Sequence, residues 1–283
     1  MKEYVLKNIL VPIDFSTFSR YALHHAERIG ELTHARITLL HVVEPFIDVW
    51  GANAGMIGSA MGLVRDLHIR GSNELKRISK ATLKRTGVQV RTIATIGRIA
   101  PTIRKKALET RSDLIVMGTH GASGFVENLI GSNTYQVATL SSVPVLSVHR
   151  TMGRHGYSHI VYPVRSNVRP MEKFSHALMF AKLFKAQVHV VGLLQPGTKT
   201  TQTAMRTLCA TITRRFAREG VETKQALTSH QHIADAVIRY AQHYPGSLVV
   251  INRDHDFRLV EVFQGTFSKR ILHKILRPVL SVP

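Results

Sequence analysis

The most regular feature of this sequence is a series of short, mainly apolar runs separated by amphipathic stretches. β-Branched runs with little polar alternation are typical of parallel strands that are covered on both faces. The stretches between them, such as 21–29 and 99–108, repeat apolar residues three and four apart, which is the period of a helix. In the first half of the chain the predicted strands are Ile9–Ile13, Ile37–Val43, Val88–Ile93, Leu114–Met117 and Val145–Val148.

The alternation of strands and helices predicts the fold class. Consecutive βα units form a parallel, doubly wound α/β sheet, because right-handed crossovers place helices on both of its faces. In such sheets ligands bind beyond the carboxyl ends of the strands, where the strand order reverses. Functional residues are therefore expected in the loops that follow the strands.

The whole pattern occurs twice along the chain. Residues 8–14 recur at 159–165 and residues 37–45 recur at 188–196, both at an offset of 151. Three later blocks, which begin at positions 114, 131 and 144, recur at an offset of 134. The fall from 151 to 134 indicates that the second copy is 17 residues shorter somewhere between Pro196 and Leu248. Repetition at a fixed offset indicates duplicated structural units.

We therefore predict two domains of one kind, residues 1–150 and residues 151–283. Each copy ends in a short apolar strand, Val145–Val148 and Val279–Val282. An unpaired apolar edge strand promotes aggregation and is usually covered. We expect these two strands to pair with each other, which would join two five-stranded sheets into an intramolecular pseudo-dimer. A homodimer of whole chains is compatible with this arrangement.

Composition narrows the function classes. The chain has 283 residues, of which 44% are hydrophobic, and this fraction excludes a generally disordered chain. It has a single cysteine, Cys209, which excludes a disulfide framework and a cysteine-based zinc site. Lys and Arg number 38 against 18 acidic residues, and the net charge of +20 favours an anionic partner such as a nucleotide or a nucleic acid. No segment resembles a secretory signal or a membrane span, so a cytoplasmic protein is expected.

Candidate chemistry follows the fourth strand. Gly118-Thr119-His120-Gly121 is separated by nine residues from Gly131-Ser132-Asn133, which opens a predicted helix. A glycine at a strand exit permits a positive φ and leaves its N–H uncovered. A helix start adds free N–H groups, a hydroxyl and the positive end of the helix dipole, all of which suit phosphate. The alternative interpretation is a flexible turn followed by a serine N-cap.

The spacing Gly-x-x-Gly-x9-Gly-Ser, together with the N-terminal Ile-Leu-Val-Pro-Ile-Asp-Phe-Ser, resembles the universal stress protein family. Leu-Leu-His-Val-Val-Glu-Pro at 39–45 and Val-Pro-Val-Leu-Ser-Val at 143–148 add to the resemblance, which extends over both halves. It implies two tandem five-stranded α/β domains of the adenine nucleotide alpha hydrolase-like kind, the first of the ATP-binding type. The function it implies is stress sensing or signalling through the bound nucleotide.

The resemblance also implies a set of binding residues. Asp14 would face the adenosine end, the main chain of Val42 would contact the adenine edge, and Pro12 and Ile13 would line the base pocket. Mg²⁺ or Mn²⁺ could bridge the phosphates. Asp14 and the loop histidine also have simpler interpretations, as a helix cap and as a solvated side chain. Around the phosphates the expected residues are Gly118, His120, Gly121, Gly131, Ser132 and Asn133, and Met117 and Thr119 complete the set.

The second copy departs from this pattern at specific positions. Arg165 replaces Asp14, and a guanidinium group cannot accept a hydrogen bond from a ribose hydroxyl. Asn252 and His255 replace Gly118 and Gly121, so side chains stand where the backbone would have to approach phosphate. We expect only the first domain to bind nucleotide. An anion held by Arg165 and the 265–266 helix start is a lesser expectation for the second.

Other motifs limit the reaction classes. The chain contains no Gly-Lys-Ser/Thr phosphate loop and no Gly-x-Ser-x-Gly elbow, so slow or no ATP hydrolysis is expected. Its 16 histidines show no spacing that predicts a metal site. The alternatives are a basic stress protein associated with nucleic acid and an ATP-using enzyme of adenylate transfer. The uncharged segment 49–64 is predicted to be a loop leading into a packed helix, with a flap or a partner patch as alternatives.

Overall fold

The computed structural model describes residues 3–45, 54–119, 130–166, 169–194, 201–230, 232–253 and 267–283. Within these ranges the strands are β1 Asn8–Pro12, β2 Arg36–Val43, β3 Val90–Ile96, β4 Leu114–Gly118, β5 Val145–Val148, β6 His159–Val164, β7 Gln187–Leu194, β8 Thr223–Ser229, β9 Ser247–Asn252 and β10 Val279–Val282. The helices are α1 Thr17–Thr33, α2 Ala54–Thr86, α3 Ile99–Glu109, α4 Ser132–Leu140, α5 Phe174–Phe184, α6 Gln202–Arg218, α7 Ile233–Gln242 and α8 Phe267–Lys274.

The strands form one sheet of ten in the order β3-β2-β1-β4-β5-β10-β9-β6-β7-β8. All pairs within each half are parallel, and β5 and β10 join the halves as an antiparallel pair in which Leu146 lies opposite Leu280. The α/β class, the order of elements and the pairing of the two closing strands are therefore confirmed. The third strand begins at Val90 rather than Val88, because the Val88 N–H donates to the Thr86 hydroxyl at 3.2 Å in the turn after α2.

The doubly buried strands separate two apolar cores. Alternate residues of β1, such as Ile9 and Val11, face the core beneath α1, α2, α5 and α6. Leu10 faces the opposite core, which is covered by α3, α4, α7 and α8. All three side chains are fully buried, as expected for a parallel strand with helices on both faces.

The long helix α2 is the largest difference between the halves. It has 33 residues, whereas its counterpart α6 has 17, and this accounts for nearly all of the shortening predicted from the repeat. From Gly71 onward α2 packs on the sheet, with Leu75 and Thr82 buried. Its first half, which is about 25 Å long at 1.5 Å per residue, exposes Met61, Leu63, Leu67 and Ile69 and buries Val64. Residues 54–64 are thus helix rather than the predicted loop, and residues 49–53 lie outside the described residues.

The segment that precedes the first strand of each half packs on a helix of the other half. The Tyr157 hydroxyl lies 2.7 Å from Nδ1 of His25, and Nε2 of His25 lies 2.8 Å from the Arg150 carbonyl oxygen. A carbonyl only accepts, so Nε2 carries the proton and Nδ1 accepts from the hydroxyl. Burial lowers the pKa of His25 to about 4. In the other half the Tyr4 ring lies 4.1 Å from that of His176, the counterpart of His25.

Among the described residues, no helix combines the length and the apolar character needed to cross a membrane.

Candidate functional site

A crevice of about 150 Å³ lies at the carboxyl ends of β1, β2 and β4, between the starts of α1, α3 and α4. This is the edge of the sheet at which the fold class predicts a ligand. Nine of the twelve residues predicted from the sequence line it together: Pro12, Ile13, Asp14, Val42, Met117, Gly118, Gly131, Ser132 and Asn133.

The three other predicted residues do not line the described crevice. His120 and Gly121 lie outside the described residues. Thr119 is fully buried, and its N–H donates to the Val148 carbonyl while its own carbonyl accepts from the Gly131 N–H at 2.6 Å. Thr119 therefore anchors the start of α4 to the sheet through its main chain.

Gly118 lacks the predicted positive φ, and the structure gives a further reason for a glycine at this position. The sequence motif favoured a positive φ here, but Gly118 is not among the glycines that have one. A Cβ atom at this position would lie 2.6 Å from the main-chain carbon and oxygen of Phe18. The glycine therefore allows the first turn of α1 to pass directly over the end of β4, which brings Ser19 into the crevice wall.

The loop between β1 and α1 forms the rim that carries Asp14. The Ser16 N–H donates to Oδ1 of Asp14 at 3.0 Å, and the Ser16 hydroxyl accepts from the Ser19 N–H as the N-cap of α1. Ser16 rather than Asp14 is therefore the cap of this helix, and the exposed Asp14 braces the turn before it. Between them Phe15 adopts a φ of 65°, a conformation that side-chain-bearing residues rarely take.

The start of α4 forms the opposite wall. Gly131 is the N-cap residue, and no side chain caps this helix, so the predicted serine N-cap is not formed. Thr134 donates from its hydroxyl to the Gly118 carbonyl at 2.8 Å, which ties the helix to β4. Gly131, Ser132 and Asn133 thus face the crevice at the positive end of a helix.

Five lining residues were missed by the sequence analysis: Ser19, Leu40, Ile99, Ile103 and Thr134. Each belongs to an element whose existence was predicted, at a position that faces the crevice only after the elements pack. The glycine at position 97, just before α3, was the available signal for Ile99 and Ile103, because it marks the tight turn at which that helix begins.

The equivalent place in the second half is almost closed. The cavity there measures about 10 Å³. The Arg165 guanidinium lies 4.7 Å from the centre of the Phe267 ring, and the buried Lys173 donates from Nζ to the Pro163 carbonyl at 2.7 Å. Asn252 donates from its side chain to the Arg169 carbonyl at 3.3 Å. The predicted anion contact at 265–266 lies outside the described residues.

In the part of the chain that the structure describes, no group of three or more His, Cys, Asp or Glu side chains is arranged to hold a metal ion. The carboxylate nearest the crevice is that of Asp14, and Ser132 supplies the only hydroxyl on the α4 side among the predicted site residues.

Comparisons with known proteins agree with this architecture. The model of the universal stress protein family matches residues 6–149. Universal stress protein MJ0577 of Methanocaldococcus jannaschii is 32% identical over 155 residues, which cover 51% of this chain and 95% of that protein. Universal stress protein YxiE of Bacillus subtilis is 31% identical over 147 residues, covering 51% of this chain and 99% of that protein.

The fold likeness extends to both halves. The crystal structure of a universal stress protein from Archaeoglobus fulgidus superposes with a TM-score of 0.75 over 97% of each chain, at 16% identity. That identity supports a shared fold alone. The family model, by contrast, matches just over half of the sequence, and the two relatives are matched along nearly their whole length. The chain therefore belongs to the universal stress protein family.

Proposed function

We propose that this protein binds ATP in the crevice of its first half and acts as a nucleotide-dependent stress sensor in the cytoplasm, with slow or no hydrolysis. On this proposal residues 1–150 are the nucleotide-binding domain and residues 151–283 are a second domain whose site is degenerate. The observation that carries the proposal is the asymmetry between a crevice of about 150 Å³ and one of about 10 Å³ at equivalent places.

The lining of the open crevice divides into two chemical sides. Leu40, Val42, Ile103 and Met117 provide an apolar side suited to a flat base. The opposite side is the uncapped start of α4, where main-chain N–H groups and the Ser132 hydroxyl suit phosphate oxygens. Asp14 stands at the rim, where a carboxylate can accept hydrogen bonds from ribose hydroxyls.

The volume is consistent with part of a nucleotide. Whole drug-sized ligands occupy pockets of roughly 300–1,000 Å³, so a crevice of about 150 Å³ would enclose the base and part of the ribose. The phosphates would then lie along the start of α4. A Mg²⁺ or Mn²⁺ ion would be carried in by the phosphates, with Asp14 and Ser132 as the protein oxygens of the kind these ions prefer.

On this proposal the protein hydrolyses ATP slowly or not at all. Rapid ATP hydrolysis usually relies on a phosphate-loop lysine with a magnesium-binding serine or threonine, and the sequence lacks that Gly-Lys-Ser/Thr motif. Binding energy at this site would instead stabilise one conformation of the loops around the crevice. ATP would then act as a signal.

The test is to denature the purified protein, identify any released small molecule by mass, and titrate the nucleotide-free protein with ATP. We expect an adenine nucleotide and a stoichiometry of one ATP per chain. Two equal sites per chain would contradict the degenerate second domain, and no binding would remove the proposed function. Phosphate release measured on the same sample checks the expected lack of turnover.

A second candidate, binding to nucleic acid, is favoured by the charge on one face of the sheet. Helix α2 carries seven basic and two acidic residues, and α6 carries four basic residues and no acidic one. Both helices cover the same core. Binding of this kind would weaken steeply as salt rises, because it releases counterions from phosphates. Retention of RNA or DNA at low salt by protein that does not bind ATP would favour this candidate.

A further inference from the structure

His41 of β2 lies behind the crevice, on the sheet face opposite to its apolar lining. Its Nδ1 atom lies 2.8 Å from the Ile13 carbonyl oxygen, so the imidazole donates to the main chain of the crevice loop. The Ile13 N–H in turn donates to the Leu40 carbonyl at 2.8 Å. Both polar main-chain groups of Ile13 are thus held by two consecutive residues of β2.

The loop that His41 holds is a strained one. Phe15, two residues beyond Ile13, has a φ of 65°, and the left-handed conformation costs a non-glycine residue about 1–2 kcal/mol. Its ring centre lies 4.6 Å from that of His41. One imidazole therefore contacts the loop twice, through the Ile13 carbonyl and through the Phe15 ring.

Helix α2 makes room for this side chain. A Cβ atom on Gly71 would lie 2.3 Å from Cδ2 of His41, so a larger residue fits here only if the imidazole moves. A glycine inside a helix costs about 1 kcal/mol relative to alanine. The helix therefore carries a destabilising residue at the point where it crosses His41.

In the second half, the corresponding contact between α6 and β7 has the large and small residues exchanged. At the offset of 151 the counterpart of His41 is Gly192. A Cβ atom on Gly192 would lie 2.8 Å from both Sγ of Cys209 and Cγ of Met205, which are buried residues of α6. In this half the space beside the strand is filled by these side chains of α6 and by Leu227 of β8, and glycine at 192 has no side chain that could reach the loop. The half whose crevice is closed thus has apolar packing at this place and no side-chain hydrogen bond from position 192 to the loop.

We propose that His41 is a positioning residue of the crevice, which holds the Ile13–Ser16 loop in the conformation that binds nucleotide, and that Gly71 is present to admit it. The inference rests on the proposed function for the identity of the ligand. The holding of the loop itself can be measured without any ligand.

The experiment compares His41→Leu, which removes the donor but keeps most of the volume, with His41→Asn, whose side-chain N–H stands near the place of Nδ1. For His41→Leu we expect ATP to bind about tenfold more weakly, as for the loss of one well-made hydrogen bond. We also expect faster amide hydrogen exchange in residues 14–18 without nucleotide. His41→Asn should recover affinity to within about threefold. Gly71→Ala, which displaces the imidazole while keeping it in the chain, should act in the same direction as His41→Leu.

Two results would overturn the inference. One is a His41→Leu protein that unfolds more easily but keeps wild-type affinity and wild-type exchange in the loop, since His41 would then only fill space. The other is a His41→Asn protein no better than His41→Leu. If the wild-type protein does not bind ATP, the proposed function fails, and the exchange of residues 14–18 alone decides whether His41 positions the loop.

Discussion

The two halves of this chain share one backbone plan and differ in whether the edge of the sheet is open. In the first half α1 begins at Thr17 and passes over Gly118, whereas in the second half α5 begins only at Phe174, six positions later in the repeat. Asn252 is the counterpart of Gly118 in the second half. Its side chain donates to the carbonyl of Arg169, which lies in the segment before α5. The residue at the end of the fourth strand of each half, Gly118 or Asn252, therefore correlates with where the first helix of that half begins.

Side chains complete the closure. Lys173 occupies the counterpart of the fully buried Ala22, and its ammonium group lies 4.6 Å from the centre of the Tyr162 ring. Phe267 occupies the counterpart of Asn133 and stacks beneath Arg165. The comparison teaches that a duplicated fold can lose a site through a few substitutions at the strand ends while its cores stay buried.

The most direct test of the difference between the halves is to place phenylalanine at the counterpart of Phe267 in the first half. Asn133→Phe places in the first half the residue that closes the second, and we expect it to weaken ATP binding by more than 100-fold, or about 3 kcal/mol. The matched control is Phe267→Asn, which should leave the affinity of the first site within about twofold. Titration of both variants with ATP decides, and equal losses would show that the crevice does not hold the nucleotide.

Two histidines at equivalent positions, His25 and His176, test a feature that the halves share. The pKa of His25 and that of His176 are both lowered to about 4 from the ordinary value of 6.5, chiefly by burial. The unfolded chain therefore takes up protons near pH 6.5 that the folded chain refuses until about pH 4. The stabilisation is fully present above pH 6.5 and is lost as the pH falls through this window, by up to about 3 kcal/mol for the fully buried His25 and by less for the half-buried His176.

Urea unfolding measured between pH 7 and pH 4 checks this expectation. His25→Gln and His176→Gln should each flatten the dependence by about one proton. Both halves should respond in the same direction, and the effect of His25→Gln should be the larger because His25 is fully buried and His176 is half-buried. A wild-type protein whose free energy of unfolding does not change over this range would contradict the neutral state of both rings.

Much of this difference could be predicted from the sequence, because it depends on local signals. The repeat identifies which positions of the two halves are equivalent. It shows that Arg165 replaces Asp14 and that Asn252 replaces Gly118. The sequence could not predict why Gly118 is a glycine, since its close neighbour, Phe18, lies a hundred residues away in the chain. Nor could it predict that the glycine-rich stretch from Ala54 is helical, because local propensity disfavours this and the packed turns after Gly71 extend it.

The close approach at Gly118 can be tested through stability. Gly118→Ala adds a methyl group 2.6 Å from the main chain of Phe18, and overpacking of this kind typically costs 1–3 kcal/mol, so we expect about 2 kcal/mol. Asn252→Ala, at the equivalent place in the second half, removes atoms instead and should cost about 1 kcal/mol through the lost hydrogen bond to Arg169. Denaturant unfolding of both variants measures the difference, and a Gly118→Ala protein as stable as the wild type would mean that α1 can move away freely.

The smallest effect separates the two roles of Asp14. Asp14→Asn keeps an oxygen to accept the Ser16 N–H but replaces the other oxygen with a donor, so the turn stays braced while the rim loses its charge and its second acceptor. We expect ATP to bind about fivefold to tenfold more weakly, as for the loss of one ordinary hydrogen bond at an exposed position, with little change in the free energy of unfolding. Arg165→Gln, the counterpart in the second half, should leave ATP affinity unchanged. If Asp14→Asn binds ATP as well as the wild type does, then Asp14 serves only to shape the loop before α1, and the difference between the two halves lies in crevice volume and main-chain geometry rather than in the charge at the rim.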